Sequence, residues 1–311
     1  MKKVAVVFAT VGMVVGLASL SMAATEIKGT LNNNATVKEA ANVAIGKGAT
    51  ANMGSMSVKN SNISGTVNNT SNVEKAANVA IGENSTANMG SVTLKDANVK
   101  GTINNNATVK EAANVAIGKN ATANMGSVTM KGGSVEGTIN NKANVEKAAN
   151  VAIGENSTAN MGSVTMKDGE VKGTINNTAT VKEAANVAIG KDATANMGSV
   201  TMRGGSVKGS VNNTSTVEKA ANVAIGEGSK ANMGSVTMDN SHIEGTVNNK
   251  ATIKEAANVA IGKNATANMG SVTIKNANVK GTINNTAKVD KSANVAIGEN
   301  STASMGSTTV E

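Results

Sequence analysis

GTINNNATVKEAANVAIGKNATANMGSVTMKGGSVE, residues 101–136, is one of eight copies of a 36-residue unit that fill the chain from Gly29 onward. The copies begin at Gly29, Gly65, Gly101, Gly137, Gly173, Gly209, Gly245 and Gly281. A fixed period of this size signals a solenoid or array, not one or two globular domains. Within copy three, apolar residues alternate with polar ones. Ala113, Val115 and Ile117 fall on one side, with Asn114 and Ala116 between them. Ala121, Ala123 and Met125 keep the period, followed by Val128 and Met130, then Val135 and Ile139. This spacing predicts about five short half-buried strands per copy, with those residues pointing inward. A helix over KEAANVAI is the rival, but the stretch is short and rich in Asn and Val. Gly118 and Gly126 sit where the run changes direction, and glycine suits a corner.

No copy buries its apolar face alone, whereas stacked copies bury it continuously and pair each strand above and below. The expected fold is therefore all-β: a β-solenoid, or stacked cross-β repeat, of eight 36-residue rungs in a Greek-key-like coil. At ~4.8 Å per rung the rod is roughly 38 Å long. Two shorter turns per copy is the alternative. The halves GTINNNATVKEAANVAIG and KNATANMGSVTMKGGSVE resemble each other weakly, which favours one rung per copy.

Three charged columns change sign at every copy. The first reads Lys38, Glu74, Lys110, Glu146, Lys182, Glu218, Lys254, Asp290. The next residue reads Glu39, Lys75, Glu111, Lys147, Glu183, Lys219, Glu255, Lys291. The third reads Lys47, Glu83, Lys119, Glu155, Lys191, Glu227, Lys263, Glu299. Opposite charges at matching positions attract if consecutive copies lie on one another. Each exposed pair is worth only ~0.2–1 kcal/mol. A slip by one rung would set like on like in all three columns, so the pattern fixes register. Duplication of a two-copy unit would also produce it. However, the site after Asn-Asn has drifted through Asn34, Thr70, Asn106, Lys142, Thr178, Thr214, Lys250 and Thr286, while the alternating columns kept their signs.

Other columns are uniform. Asn42, Asn78, Asn114, Asn150, Asn186, Asn222, Asn258 and Asn294 form one, and the pairs Asn32-Asn33 through Asn284-Asn285 form two more. Stacked amides hydrogen-bond along a fibre axis, donor to acceptor. Turn geometry is the alternative for the Asn-Asn pairs. The Met53, Met89, Met125, Met161, Met197, Met233, Met269 and Met305 column reads as core filling; thioether metal binding is the rival.

Composition narrows the class. Trp, Tyr, Pro and Cys are absent, and Phe8 is the sole aromatic residue. Absence of Pro favours uninterrupted backbone pairing, and absence of Cys removes disulfide and thiol chemistry. Lys2 and Lys3, the apolar run Val4 to Leu20, and Ser21-Met22-Ala23 read as a signal peptide over 1–23, with a mature repeat domain over 24–311. A membrane anchor is the rival, and no second apolar stretch of spanning length follows. Loss of Lys2 and Lys3 lowers the net charge from +8 to +6. That balance suits an acidic polysaccharide, nucleic acid or another polyanion as a partner, although a solvated surface is the better explanation.

The start Thr25-Glu26-Ile27-Lys28 matches the tail of a repeat, and Glu311 falls short of completing copy eight. The tail of one molecule and the head of the next would nearly complete a unit. Because the copy number is even, head-to-tail stacking continues the charge alternation unbroken. A heterologous contact that does not close generates a filament.

The stretch AANVAIGENSTANMGSV, present with small changes in every copy, resembles the repeat of Fap-type bacterial functional-amyloid fibril subunits. The matching core is Asn42-Val43-Ala44-Ile45-Gly46 with Asn52 in copy one, and Asn114 to Gly118 with Asn124 in copy three. The resemblance implies an extracellular biofilm fibril of stacked repeats. Fap-type repeats are Gln-rich, separated by linkers and followed by a Cys pair; this chain has none of these. VAIGENSTA and VAIGKNATA also resemble the β-roll heads of trimeric autotransporter adhesins.

The leading expectation is a secreted structural subunit stacking with itself into a bacterial extracellular or cell-surface fibre. The alternative is a monomeric adhesin, or an ice- or polyanion-binding solenoid. No catalytic residue, metal site or cofactor is expected: His242 is the sole histidine, and no phosphate-binding glycine loop occurs. Lys59, Lys95, Lys131, Lys167 and Arg203 form a basic column, interrupted by Asp239 and resumed at Lys275, with no aromatic stacking platform for nucleic acid. Thr102, Thr138 and Thr174, and Thr129, Thr165 and Thr201, form the partial columns that an ice-binding face would use.

Overall fold

The structure, a computed structural model, describes residues 10–11, 20–23 and 26–310. It is an all-β solenoid of eight rungs, one 36-residue copy per rung. Each strand pairs in parallel with the strand one copy before and after it. Ile103 lies between Val67 and Ile139, and Met125 between Met89 and Met161. This register excludes two turns per copy. It also places every column of identical residues in a line along the axis.

A rung contains three strands, fewer than the five expected. In copy three they are Asn98–Ile117, Thr122–Met125 and Val128–Lys131. The long strand runs through Gly101 without a break. The Gly101 backbone has φ 137°, and a Cβ there would collide with the Gly65 carbonyl of the rung before. Only glycine lets the rungs approach at this point, so the column from Gly65 to Gly281 is a requirement of stacking. Gly118 and Gly126 do lie at corners, with φ 138° and 60°.

The long strand changes phase once. Val99, Ile103, Asn105, Ala107 and Val109 point inward, and then Lys110 and Glu111 both face solvent. From there Asn114 and Ala116 are fully buried, while Val115 is half-buried and Ile117 is 36% exposed. The expectation that Ala113, Val115 and Ile117 face the core is therefore corrected. The ladder skips Lys110 between the Val73↔Val109 and Lys75↔Glu111 pairs, and one extra residue inverts every side chain after it. The strong apolar run lost because the inner space beyond this bend is narrow. It admits only Ala116, Ala121 and Ala123, and the Asn114 amide finds backbone partners there.

The interior forms three parallel bands. Val99, Ile103 and Val135 meet Val128 and Met130 in the widest. Val109 and Met125 form the second, flanked by Ala112. The third is built of alanine alone. Side-chain size thus follows the gap between the long strand and the two short ones. Each buried Val, Ile or Met contributes about 1.5–3 kcal/mol, and repetition along the axis makes the core continuous.

Two short pieces of the expected leader are described. Thr10–Val11 pairs with Asn32–Asn33, and Leu20–Ala23 pairs with Met56–Lys59. Both lie on the copy-one side of the stack. The remainder of the leader, including Lys2, Lys3, Phe8 and the expected cleavage point at Ala24, lies outside the described residues.

Candidate functional site

The side chains that repeat without change converge into lines of hydrogen bonds. Asn42 donates to Asn78 at 2.9 Å, and the chain of amides continues through Asn114, Asn150, Asn186, Asn222 and Asn258 to Asn294. Each amide also donates to the backbone of the facing strand; Asn114 reaches the carbonyls of Ala87 and Asn124 at 3.0 Å. This column fastens the long strand to the short one as well as rung to rung.

The Asn-Asn pairs form two further lines. Asn33 donates to Asn69 and so on to Asn285, always toward the later copy. Asn68 donates back to Asn32, and that line runs toward the earlier copy as far as Asn284. Both residues of each pair lie in the long strand, so the turn alternative for them is corrected. A fourth line, from Asn268 back to Asn52, was missed in the sequence. Its signal was an Asn retained in seven copies and replaced by Ser304 in the last. Two lines thus point each way along the axis. Among the described residues, Asn268 Oδ1 is left buried without a donor, as Ser304 dictates, and Asn33 Oδ1 is buried without a donor at the opposite end.

The charged columns sit on the outer corners. In the first, Lys110 pairs with Glu74 at 3.5 Å, Lys182 with Glu146 at 3.3 Å and Lys254 with Glu218 at 3.4 Å. In the third, Lys47 pairs with Glu83 at 3.5 Å, Lys119 with Glu155 at 3.3 Å and Lys263 with Glu299 at 3.1 Å. Lys191 and Glu227 occupy the same corner without closing an ion pair. In the second, opposite charges face one another from Glu39↔Lys75 to Lys219↔Glu255, also without closing one. Asp290 and Lys291 fall where the last long strand is interrupted, between Val289 and Ser292. A partial fourth column escaped notice because its alternation is imperfect; in it Lys100 pairs with Glu136 and Lys208 with Glu244.

The Met column is buried core throughout except at Met305 in the last rung. The two Thr columns lie in different sheets, Thr102 in the long strand and Thr129 in a short one. Thr129 and Thr201 lie nearly buried and donate to Asn124 and Asn196. They line the floor of a lengthwise groove of about 490 Å3, at the outer corner between the two short strands. Thr122, Asn160, Thr158 and the basic residues Lys131, Lys167 and Arg203 complete its walls.

The basic column behaves unlike the others. Lys95, Lys131, Lys167 and Arg203 are stacked like on like in direct register. Partial burial, with Lys167 and Lys95 on either side, holds the Lys131 ammonium below its ordinary pKa. In copy six, Asp239 replaces the cation and Lys230 replaces the threonine across the groove, and the two pair at 3.8 Å. Only Asp239 stood out in the sequence; the signal for its partner was that both replacements fall in one copy.

Among the described residues no three His, Cys, Asp or Glu side chains group as metal ligands, and no helix is long and apolar enough to cross a membrane. Compared with models of protein families, with curated proteins and with solved structures, the chain matches none.

Proposed function

We propose that this chain is a secreted structural subunit that stacks head to tail into an extracellular amyloid-like fibre, serving a biofilm matrix or surface adhesion. The observation that carries the reading is the buried, unpartnered Asn33 Oδ1. In every later rung the equivalent atom accepts an amide from the rung before it. Asn285 of a second molecule belongs to the same column and carries the missing donor. The signs of the charged columns agree with that contact: Asp290, Lys291 and Glu299 would face Lys38, Glu39 and Lys47.

Surface apolarity supports it too. Met305 and Val310 in the last described rung are 44% and 60% exposed, whereas their counterparts one rung earlier, Met269 and Ile274, are buried. A second molecule's first rung would cover them. At the opposite end, Thr10–Val11 and Leu20–Ala23 lie against copy one, where another molecule's last rung would sit, and removal of the leader would vacate the place. The resemblance to Fap-type fibril repeats points the same way.

The full chain and a chain beginning at Ala24 should be purified side by side and concentrated. The shorter one is expected to sediment as fibres and to diffract with a meridional spacing of ~4.8 Å. A monodisperse monomer at high concentration would end this reading.

A further inference from the structure

We propose that the groove between the two short strands is a binding site for a linear acidic polysaccharide, one whose sugar units carry carboxylates.

Three observations on this chain lead there. The first is contrast. On its other corners the chain sets opposite charges on successive rungs, yet here five cations follow one another: Lys59, Lys95, Lys131, Lys167 and Arg203. Stacking like charges at ~4.8 Å works against the fold, and the chain demonstrably encodes the remedy elsewhere. None of Lys95, Lys131 and Lys167 closes an ion pair among the described residues. A row of unneutralised charge retained against stability marks a place for an anion.

The second observation is shape. Three of the cations, Lys131, Lys167 and Arg203, do not stand on a convex face but border a groove with a polar floor, and Lys59 and Lys95 continue their row in register beyond it. Thr122, Thr158 and Thr165 keep half-buried hydroxyls along it and Asn120 and Asn156 exposed amides, while Asn160, Thr165's partner at 3.2 Å, is buried beneath them. Donors and acceptors at rung spacing, beside cations at the same spacing, match a polymer that carries hydroxyls and one charge per unit. The rung spacing is close to the advance of one sugar ring along an extended glycan. Five cations span about 19 Å at four intervals of ~4.8 Å.

The third is what copy six does. The Lys230–Asp239 pair closes the row with a neutral rung, giving the site an end. Single-stranded nucleic acid is the less favoured polyanion, because the groove offers no aromatic ring on which bases stack. The inference concerns one molecule and holds whether or not molecules stack.

The test uses the full chain and polygalacturonate oligomers, with neutral dextran and oligo(dT) as comparison probes, read by calorimetry at low and moderate salt. Polygalacturonate is expected to bind and to weaken as salt rises. Dextran should not bind. The triple variant Lys131→Gln, Lys167→Gln, Arg203→Gln should lose affinity by about tenfold or more. A triple variant of equal charge on another corner, Lys75→Gln, Lys147→Gln, Lys219→Gln, should change it less than about twofold. Equal loss in both variants would reduce the effect to net charge and overturn the site. Oligo(dT) binding as tight, and as sensitive to the groove variant, would overturn the choice of ligand. Should the groove variant misfold, carbodiimide coupling of polygalacturonate to the unaltered chain decides. Coupling to Lys95, Lys131 and Lys167 supports the site, and coupling spread evenly over all lysines refutes it.

Discussion

Replacing Gly29 with Ala separates folding from assembly. A Cβ on Gly65 would collide with the Gly29 carbonyl of the rung before, and the same holds at Gly101, Gly137 and each later copy. At Gly29 nothing among the described residues lies within 4 Å of the added methyl group. No described residue fills its place in the single molecule, and the Gly281 carbonyl of a docked one would. The backbone there has φ 122°, so alanine brings strain of ~1–3 kcal/mol. That strain is present in the free and the docked molecule alike and cancels from association. What does not cancel is the collision. The two rungs must part around it, losing two or three ladder hydrogen bonds at ~1 kcal/mol each. The sum is about 3 kcal/mol, or roughly a hundredfold rise in the concentration at which fibres form. Gly173→Ala places the same collision inside the molecule, so it should lower folding stability by about 3 kcal/mol more than Gly29→Ala does. Chemical denaturation compares the two folds, and sedimentation across a concentration series compares assembly. Should Gly29→Ala assemble at the concentration of the unaltered chain, no carbonyl comes to rest above Gly29 and the head-to-tail contact is wrong.

Other substitutions test the interior. Met125→Ala should cost about 2–5 kcal/mol, whereas Ile117→Ala should cost less than about 1 kcal/mol, and equal losses in denaturant melts would contradict the phase change at Lys110–Glu111. Asn114→Ala removes the bonds to Asn78 and Asn150 and two to backbone carbonyls, and should destabilise by about 3 kcal/mol in the same assay. Ser304→Asn gives Asn268 Oδ1 its donor and should raise stability by ~0.5–1.5 kcal/mol. Because the Lys131 pKa is lowered on folding, the unfolded chain binds more protons between the lowered value and 10.5. Stability should therefore rise with pH through that alkaline window, and the rise should shrink in Lys131→Gln when melting is followed against pH.

Rung length, the all-β class and parallel in-register stacking were legible because a 36-residue period leaves few alternatives. The inward residues Ala121, Ala123, Met125, Val128 and Met130 were legible because the one change of phase among them falls at Gly126, a visible corner. The segment after Lys110 was not. Two adjacent charges hid an extra residue, and a period-two pattern carries no mark of where its phase begins. Valine and isoleucine at 115 and 117 made the wrong phase look better than the right one, because alternation does not report how much room lies inside. The charged and amide columns could be read as columns, but their bonding could not. Which rungs close ion pairs, and which way an amide points, depends on corner geometry that identical repeats do not spell out. The groove was invisible for a related reason: it arises where two short strands meet at an outer corner, and no single stretch of sequence contains it.

The opposed directions of the amide lines write a message on each face of the stack. On the copy-one face, Asn32 and Asn52 point an N–H outward while Asn33 and Asn42 point an oxygen outward. On the far face, Asn284 turns out an oxygen and Asn285 keeps one N–H beyond the one it gives to the Ser307 carbonyl, while Asn294 donates to the Ala267 and Ser304 carbonyls. The faces are plug and socket, so a newcomer is accepted in one orientation only. Whatever joins also leaves behind the same socket it filled. Growth is then a copying process with an arrow, and the arrow was set by which way a handful of side-chain amides happened to turn.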